Sequence, residues 1–163
     1  MIHVRKAGTG DTGQLADLLN AIIAKGGTTA HTQPLTGADL SAEIRLYPGQ
    51  SAWFLAEDDG GQVLGFQNIQ PNAKFPADAA DIATFVRLGQ TGRGVGSKLF
   101  EATKTAARDL GYTWISATIR ADNDSGLTYY QSRGFEDYER LRDTRMSDGT
   151  VVDRICKRYD LAG

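Results

Sequence analysis

The chain has 163 residues, and 18 lysine and arginine residues nearly balance 20 aspartate and glutamate residues, which gives a formal net charge of −2. This balance predicts neither a nucleic-acid-binding surface nor a polybasic membrane anchor. No apolar run approaches the ~20 residues of a membrane-spanning helix, and the first residues lack the apolar region of a signal peptide. We therefore expect one domain over residues 1–163, with its own core, in the cytoplasm.

Cysteine and histidine are scarce, because the sequence has one cysteine, Cys156, and two histidines. One cysteine forms no internal disulfide, and so few side chains do not supply the ligands of a zinc site. The sequence therefore predicts a protein without a bound metal. Cys156 falls in a strand pattern near the end of the chain, where we expect a small buried side chain.

The first half of the chain predicts a strand, two helices and a β-hairpin. The first helix carries apolar residues at helical spacing and ends at Gly26 and Gly27. The hairpin turn, residues 58–61, reads Asp-Asp-Gly-Gly and is the strongest turn signal in the chain. The expected ranges are 2–6 (strand), 11–25 and 36–47 (helices), and 51–57 and 62–69 (strands).

The second half predicts a loop over residues 71–80, followed by alternating strands and helices. The expected strands are 82–88, 114–119, 137–142 and 151–159, and the expected helices are 94–110 and 123–133. The full order, βααβββαβαββ, mixes hairpins with crossovers. It predicts an α/β (α+β) fold with a mixed, mostly antiparallel sheet of about seven strands and helices on both faces.

A glycine-rich run, residues 90–97, lies between a predicted strand and a predicted helix. The first N–H groups of a helix lack partners within it, and glycine allows close approach of a ligand, so the run is typical of a phosphate site. A tight strand-to-helix connection would have the same composition. The run does not fit a P-loop, because Lys98 follows Ser97, and Ser97 stands where a dinucleotide fingerprint has its third glycine.

A second motif follows the next predicted strand. Asn123 is followed by Tyr130 seven residues later and then by Gly134-Phe135. Together with the glycine-rich run, this segment resembles the GNAT superfamily of acyl-CoA-dependent N-acyltransferases, whose pyrophosphate loop has the form R/Q-x-x-G-x-G/A. Residues 94 and 96 fill the glycine places, and Thr91 stands where the family has arginine or glutamine. The resemblance covers residues 50–140.

The resemblance implies a GNAT-type fold in which the fourth and fifth strands splay apart and hold the pantetheine arm of acetyl-CoA. Acetyl-CoA is thus the expected cosubstrate, and no metal is expected. Arg93 could supply the charge that Thr91 lacks. Asn123 would bond the pantetheine or only cap its helix. The cofactor-binding residues implied are Phe85, Val86, Gly92, Arg93, Gly94, Val95, Gly96, Ser97, Asn123 and Tyr130.

By the same resemblance, Tyr130 donates a proton to the leaving sulfur. The alternative is that Tyr130 is a core aromatic and Tyr129 is the active residue. The base is less clearly marked. Asp81 is the first candidate, with Glu57 and His31 as others, and ordered water could replace a single base. A backbone N–H near Val86 is the expected donor to the thioester oxygen.

The acceptor is expected to be a small polar amine, an amino acid or an analogue. In this family the first loop and second helix wall the acceptor site, and residues 26–31 are small and polar, with Thr29 and His31 as candidate substrate residues. The loop resembles that of the phosphinothricin and amino-acid N-acyltransferases. Arg87 or Arg120 could pair with an acceptor carboxylate, or could be solvated surface charges.

Three alternatives stay open at this point. The chain could acetylate a protein N-terminus or lysine, which predicts an open groove. It could be a non-catalytic acyl-CoA sensor, which predicts binding without turnover. A nucleotide-binding protein is the weakest alternative. A homodimer is compatible with the fold, although the sequence marks no interface, and the expected partner is otherwise a small-molecule amine.

Overall fold

The computed structural model describes residues 1–29 and 31–161. It contains one seven-stranded sheet in the order β1-β2-β3-β4-β5-β7-β6. The strands are β1 (His3–Lys6), β2 (Ala52–Glu57), β3 (Val63–Gln70), β4 (Ala79–Val86), β5 (Trp114–Arg120), β6 (Glu136–Arg145) and β7 (Val151–Asp160). The helices are α1 (Thr12–Lys25), α2 (Gly37–Ile44), α3 (Val95–Asp109) and α4 (Asp124–Ser132), and a 3₁₀ turn over Thr9–Asp11 precedes α1.

The helices cover both faces of the sheet. Helices α1 and α2 pack on one face, where Leu15, Leu19 and Leu40 contact Leu55 and Phe66. Helix α3 packs on the other, where Leu99 contacts Phe54 and Leu64. Successive side chains of a strand point to opposite faces of the sheet, so Phe54 of β2 packs with α3 and Leu55 packs with α1 and α2. The predicted fold, with helices on both faces of a mostly antiparallel sheet, is confirmed.

Local signals fix several helix ends. Thr36 caps α2, since its hydroxyl accepts from Asp39 N at 3.0 Å while the Asp39 carboxylate accepts from Thr36 N at 2.8 Å. Asn123 caps α4 by accepting from Gly126 N at 3.0 Å. Gly134 follows α4 with a φ of 101°, a left-handed conformation that ends a helix. These short-range interactions explain why the predicted starts of both helices agree with the structure.

Two strands extend beyond their predicted bounds. Strand β4 begins at Ala79, within the predicted loop, because Ala79 and Ala80 pair with β5. Strand β6 continues to Arg145, because Arg145 pairs with Val151 beyond an irregularity in the ladder. Both extensions depend on strands distant in sequence, which local patterns do not record.

The only parallel strand pair described here, β4 and β5, separates soon after it begins. Pairing runs from Ala79 opposite Trp114 to Asp81 opposite Ser116 and then stops. Beyond that point β4 pairs only with β3, and β5 pairs only with β7. The predicted splay of the fourth and fifth strands is therefore confirmed, and it opens a gap in the middle of the sheet.

Three further features concern the described part of the chain. None of its helices combines the length and the apolar character needed to cross a bilayer. Within residues 1–29 and 31–161 there is no group of three or more His, Cys, Asp or Glu side chains arranged to hold a metal ion. Cys156 is buried and free, which agrees with its predicted role as a small core residue.

Candidate active site

A groove of about 1230 Å³ occupies the gap between β4 and β5. The glycine-rich loop borders one end, and the N-terminal half of β4 borders the other. The loop before α2 and the start of α4 form its sides. Twelve of the thirteen predicted site residues line it: Thr29, His31, Asp81, Phe85, Val86, Gly92, Gly94, Val95, Gly96, Ser97, Asn123 and Tyr130.

The glycines of the loop have two different structural roles. Gly92 and Gly94 have φ values of 84° and 82°, which other residues rarely adopt. A Cβ added to either would meet no atom within 4 Å, so both face open groove space. Gly94 is also the N-cap of α3, whose first N–H groups lack helical partners. This end of the groove therefore fits the pyrophosphate of a CoA thioester.

Gly96 is required for packing. A Cβ at this position would lie 2.6 Å from Cε1 of Tyr129, closer than real Cβ contacts allow. The Tyr129 hydroxyl donates to Gly96 O at 2.7 Å and accepts from Gln67 Nε2 at 3.1 Å. Tyr129 thus attaches the first turn of α3 to α4 and to the sheet.

Arg93 is the one predicted site residue that does not line the groove. It is exposed, and its guanidinium donates to the Gln90 side chain. Thr91 and Gln90 line the groove instead. Arg93 is therefore directed to its own loop and away from the groove lining.

Tyr130 is buried at the centre of the groove wall, with 6 % of its surface exposed. Its hydroxyl lies 2.7 Å from Thr84 Oγ1 on β4, and Thr84 Oγ1 also accepts from Gln67 Nε2 at 2.9 Å. Burial raises the pKa of Tyr130 well above its usual range, and the neighbouring Tyr129 adds to this effect. Tyr130 is therefore a neutral phenol that holds its proton at physiological pH.

Tyr129, the alternative active residue, also lines the groove. Burial raises its pKa to about 12. Its hydroxyl, however, already donates to Gly96 O and accepts from Gln67. Because a phenol has one proton, the Tyr129 proton is used within the protein, whereas the Tyr130 hydroxyl is bonded to a hydroxyl that can itself donate.

Of the three candidate bases, Asp81 has the most suitable position. It lines the groove, and burial raises the pKa of its carboxyl group above the usual value. Asn72 Nδ2 donates to it at 3.1 Å. Glu57 is bonded to Arg5 at 3.2 Å and lies outside the groove lining. His31 is exposed, with its ring 6.2 Å from that of Phe85.

Asn123 joins two walls of the groove. Its Oδ1 accepts from Gly126 N, and its Nδ2 donates to Thr28 O at 2.9 Å. Thr29 is buried beside this contact, and its hydroxyl accepts from His31 N at 3.2 Å. Ala30, which belongs to the same predicted acceptor loop, lies outside the described residues. The Asn123 amide therefore has protein partners at both ends.

The two arginines considered for an acceptor carboxylate are both engaged. Arg87 Nε donates to Val63 O at 2.6 Å, and Arg87 does not line the groove. Arg120 lines the groove but forms an ion pair with Asp122 at 2.9 Å.

The sequence did not predict Gln67, Thr84 and Arg154 as residues of the site. Only the alternation of strand residues locates them, and that pattern does not distinguish a site residue from a core residue.

The family profile described as "Acetyltransferase (GNAT) family" matches residues 25–135, which contain β4, the glycine-rich loop, α3, β5 and α4. The chain belongs to the acetyltransferase (GNAT) family. The match covers both motifs of the sequence and most of the groove. It confirms the prediction that the chain is an acyl-CoA-dependent N-acetyltransferase.

Individual relatives agree with this assignment. This acetyltransferase is 27% identical over 146 residues to YwnH of Bacillus subtilis, an inferred phosphinothricin acetyltransferase, with 88% of this chain and 85% of the relative covered. It is 27% identical over 133 residues to the N-alpha-acetyltransferase RimI of Mycobacterium tuberculosis, with 66% and 82% covered.

A solved structure with acetyl-CoA shares the fold. The phosphinothricin acetyltransferase of Sinorhizobium meliloti, crystallised in complex with AcCoA, superposes with a TM-score of 0.87 at 18% identity. The superposition covers 98% of this chain and 88% of that chain. At this level of identity the likeness establishes the fold of the acetyltransferase.

The positive φ of Gly94 allows a direct test of the loop. We expect Gly94→Ala to weaken acetyl-CoA binding about tenfold, because a φ of 82° costs alanine roughly 1–2 kcal/mol and relaxation would turn the α3 N–H groups away. Isothermal titration calorimetry measures the dissociation constant. Gly149→Ala is the matched control, since Gly149 has a φ of 90° in a hairpin turn outside the groove lining. Unchanged affinity in Gly94→Ala would contradict a binding role for the loop.

Proposed function

We propose that the enzyme transfers an acetyl group from acetyl-CoA to the primary amine of a small polar acceptor, an amino acid or an analogue, by direct attack in a ternary complex. The observation that carries this proposal is the gap between β4 and β5. Along it lie the glycine-rich loop, the buried Tyr130 hydroxyl and the half-buried Asp81 carboxyl group.

The backbone of β4 supports the binding of a thioester. Arg87 N donates to Leu64 O on β3 at 2.7 Å. Because successive N–H groups of a strand point to opposite sides, those of Val86 and Thr84 point towards the open gap. Acetyl-CoA supplies an acetyl group activated as a thioester. We propose that these N–H groups bind the pantetheine and, near Val86, the oxygen on which charge develops.

Tyr130 is the proposed proton donor to the leaving sulfur. Gln67 Nε2 donates to Thr84 Oγ1, so the single Thr84 proton is free to reach the Tyr130 oxygen at 2.7 Å. In that arrangement the Tyr130 proton has no acceptor among residues 1–29 and 31–161 and is available to a ligand in the groove. The C–S bond breaks as the C–N bond forms, and the phenol proton passes to sulfur. Solvent then reprotonates Tyr130.

Asp81 is the proposed base. The amine nitrogen must lose a proton as it becomes an amide nitrogen, and a half-buried carboxylate with a raised pKa is better matched to this transfer than an ordinary one. Asp81 and Phe85 lie on the face of β4 that carries α1 and α2, since both pair in register with residues of that face on β3. The amine is thus expected to approach from the α1–α2 side.

A small chamber beside Asp81 supports a compact acceptor. It has a volume of about 160 Å³ and is lined by residues of α1, α2 and β2–β4, including Glu43, Trp53 and Phe85, and by His31 of the loop between α1 and α2. A cavity of ~150 Å³ accommodates a benzene-sized group. The chamber therefore fits an amino-acid side chain, and it is too small for a run of peptide.

The names of relatives support two acceptor classes. The YwnH and Sinorhizobium meliloti names point to phosphinothricin, an amino-acid analogue, which agrees with the compact chamber. The RimI name, N-alpha-acetyltransferase, points to an α-amino group, which a protein N-terminus also carries. A protein acceptor requires an open path for the rest of the chain, so acetylation of peptides but not of free amino acids would favour that second function.

The proposal is tested by thiol release from acetyl-CoA in the presence of free amino acids, phosphinothricin, polyamines, aminoglycosides or short peptides. We expect turnover with free amino acids or phosphinothricin and little with peptides or polyamines. Acetyl-CoA binding is measured in parallel by calorimetry. Binding without turnover of any amine would overturn the proposed function and leave an acyl-CoA sensor.

A further inference from the structure

Arg154, on β7, has a side chain that lines the groove. Its Nε is buried and has no hydrogen-bond partner within residues 1–29 and 31–161. The arginine ion pairs in those same ranges involve Arg5, Arg120, Arg140, Arg142 and Arg158. A buried charged donor without an acceptor is costly, so its presence beside a groove indicates a ligand that supplies the acceptor.

The other cations near the groove are placed differently. Arg120 is paired with Asp122, and Lys25 and Lys74 are exposed to solvent. Arg133 also has a buried Nε without a partner in the described ranges, but it does not line the groove. Among the groove-lining cations of the described ranges, Arg154 is therefore the one whose buried Nε lacks an acceptor, and an anionic ligand would supply it.

Like Asp81, the proposed base, Arg154 lines the groove. Its positive charge lowers the pKa of Asp81, against the larger effect of burial, so the two groups interact electrostatically. They nevertheless form no ion pair within 4.0 Å, and Glu139 on the neighbouring strand β6 forms none with Arg154 either. A cation and an anion that line one groove without touching can bind the two ends of a zwitterion between them.

We propose that Arg154 binds the carboxylate of the acceptor, so that the acceptor is an α-amino acid or a close analogue. The proposal rests on the proposed function and names the residue that recognises the acceptor carboxylate. The planar guanidinium matches a carboxylate in a two-point contact. The amine of the same acceptor lies towards Asp81, and its side chain enters the 160 Å³ chamber.

The test compares each free L-amino acid with the corresponding L-amino acid amide, which lacks the carboxylate. KM and kcat are measured for the wild-type enzyme, Arg154→Gln and Arg154→Lys. We expect Arg154→Gln to raise KM for free amino acids about ten- to a hundredfold, with little change for the amides and for acetyl-CoA. Arg154→Lys keeps the charge and is expected to retain part of the preference. An amino acid amide has a lower amine pKa than the free amino acid. The decisive quantity is therefore how the ratio of KM for the acid to KM for the amide changes between the wild-type enzyme and the variants.

Arg142→Gln is the matched control, because Arg142 is an exposed arginine on β6 outside the groove lining. Binding of amino acids and amides to the enzyme–CoA complex, measured by calorimetry, gives a readout that does not require turnover.

An equal loss of affinity for acids and amides in Arg154→Gln, or a raised KM for acetyl-CoA, would overturn the proposal. Turnover of amines by the wild-type enzyme without preference for the acid would overturn it too, while leaving the proposed function intact. If no amine is turned over, the proposed function fails, and the calorimetric preference still decides the role of Arg154.

Discussion

We expect Tyr130→Phe to lower kcat about a hundredfold while the affinity for acetyl-CoA stays unchanged. The substitution removes one oxygen from a ring that keeps its packing against Phe135 and Tyr129. The leaving thiolate then lacks its proton donor, so the loss appears in the chemical step. Steady-state kinetics with a saturating acceptor and calorimetric titration with acetyl-CoA measure the two quantities.

Tyr138→Phe provides a matched control for this prediction. The Tyr138 hydroxyl also lies 2.7 Å from a hydroxyl, that of Ser116, but Tyr138 does not line the groove. Removal of its oxygen is expected to change stability slightly and kcat very little. Equal kcat in Tyr130→Phe and the wild-type enzyme would contradict the acid role. A loss of acetyl-CoA affinity in Tyr130→Phe would instead indicate that Tyr130 only shapes the groove.

We expect Asp81→Asn to lower kcat/KM about a hundredfold at neutral pH and to remove one limb of the pH profile. Burial raises the pKa of Asp81 above its ordinary value of 3.8. The carboxylate forms only as the pH rises through this raised pKa, so wild-type activity increases with pH over that range. The variant has no carboxylate to titrate, and its profile is expected to lack this ascending limb. Measurement of kcat/KM from about pH 4 to 9 tests both points.

The stability of Asp81→Asn shows whether Asp81 is needed for folding, separately from any role in catalysis. A group whose pKa is raised in the folded state favours folding below its unfolded pKa, and this contribution is lost as the pH rises through the folded pKa. Asp81→Asn is therefore expected to be at least as stable as the wild-type enzyme at neutral pH. Glu57→Gln serves as the control, because Glu57 pairs with Arg5 outside the groove lining. Unchanged kcat/KM together with an unchanged ascending limb in Asp81→Asn would contradict the role of Asp81 as the base.

The two tyrosines show how the sequence motif and the structure contribute differently. The spacing from Asn123 selects Tyr130, but spacing cannot show what each hydroxyl bonds. The structure shows the Tyr129 proton donated to Gly96 O, and the Tyr130 hydroxyl beside Thr84 in the gap. The partners Thr84 and Gly96 lie on other elements, so no local pattern around residues 129 and 130 reveals them.

The sequence by itself determined the order of strands and helices, the caps at Thr36 and Asn123 and the turns at its glycines. These features depend on interactions within a few residues, such as the Thr36–Asp39 contacts, and local sequence records them. It also determined the family, because both motifs are continuous in the chain and the order of the elements between them agrees with the fold.

Only the tertiary structure decided where β4 and β5 separate and which charges remain unpaired. Pairing stops at Asp81 and Ser116, which are 35 positions apart in the chain. Arg120 and Arg154 look alike in sequence, yet Arg120 has Asp122 two residues away and Arg154 has no partner in the described ranges. The difference arises because burial and long-range strand pairing set which side chains find partners, and neither is encoded in the residues next to them.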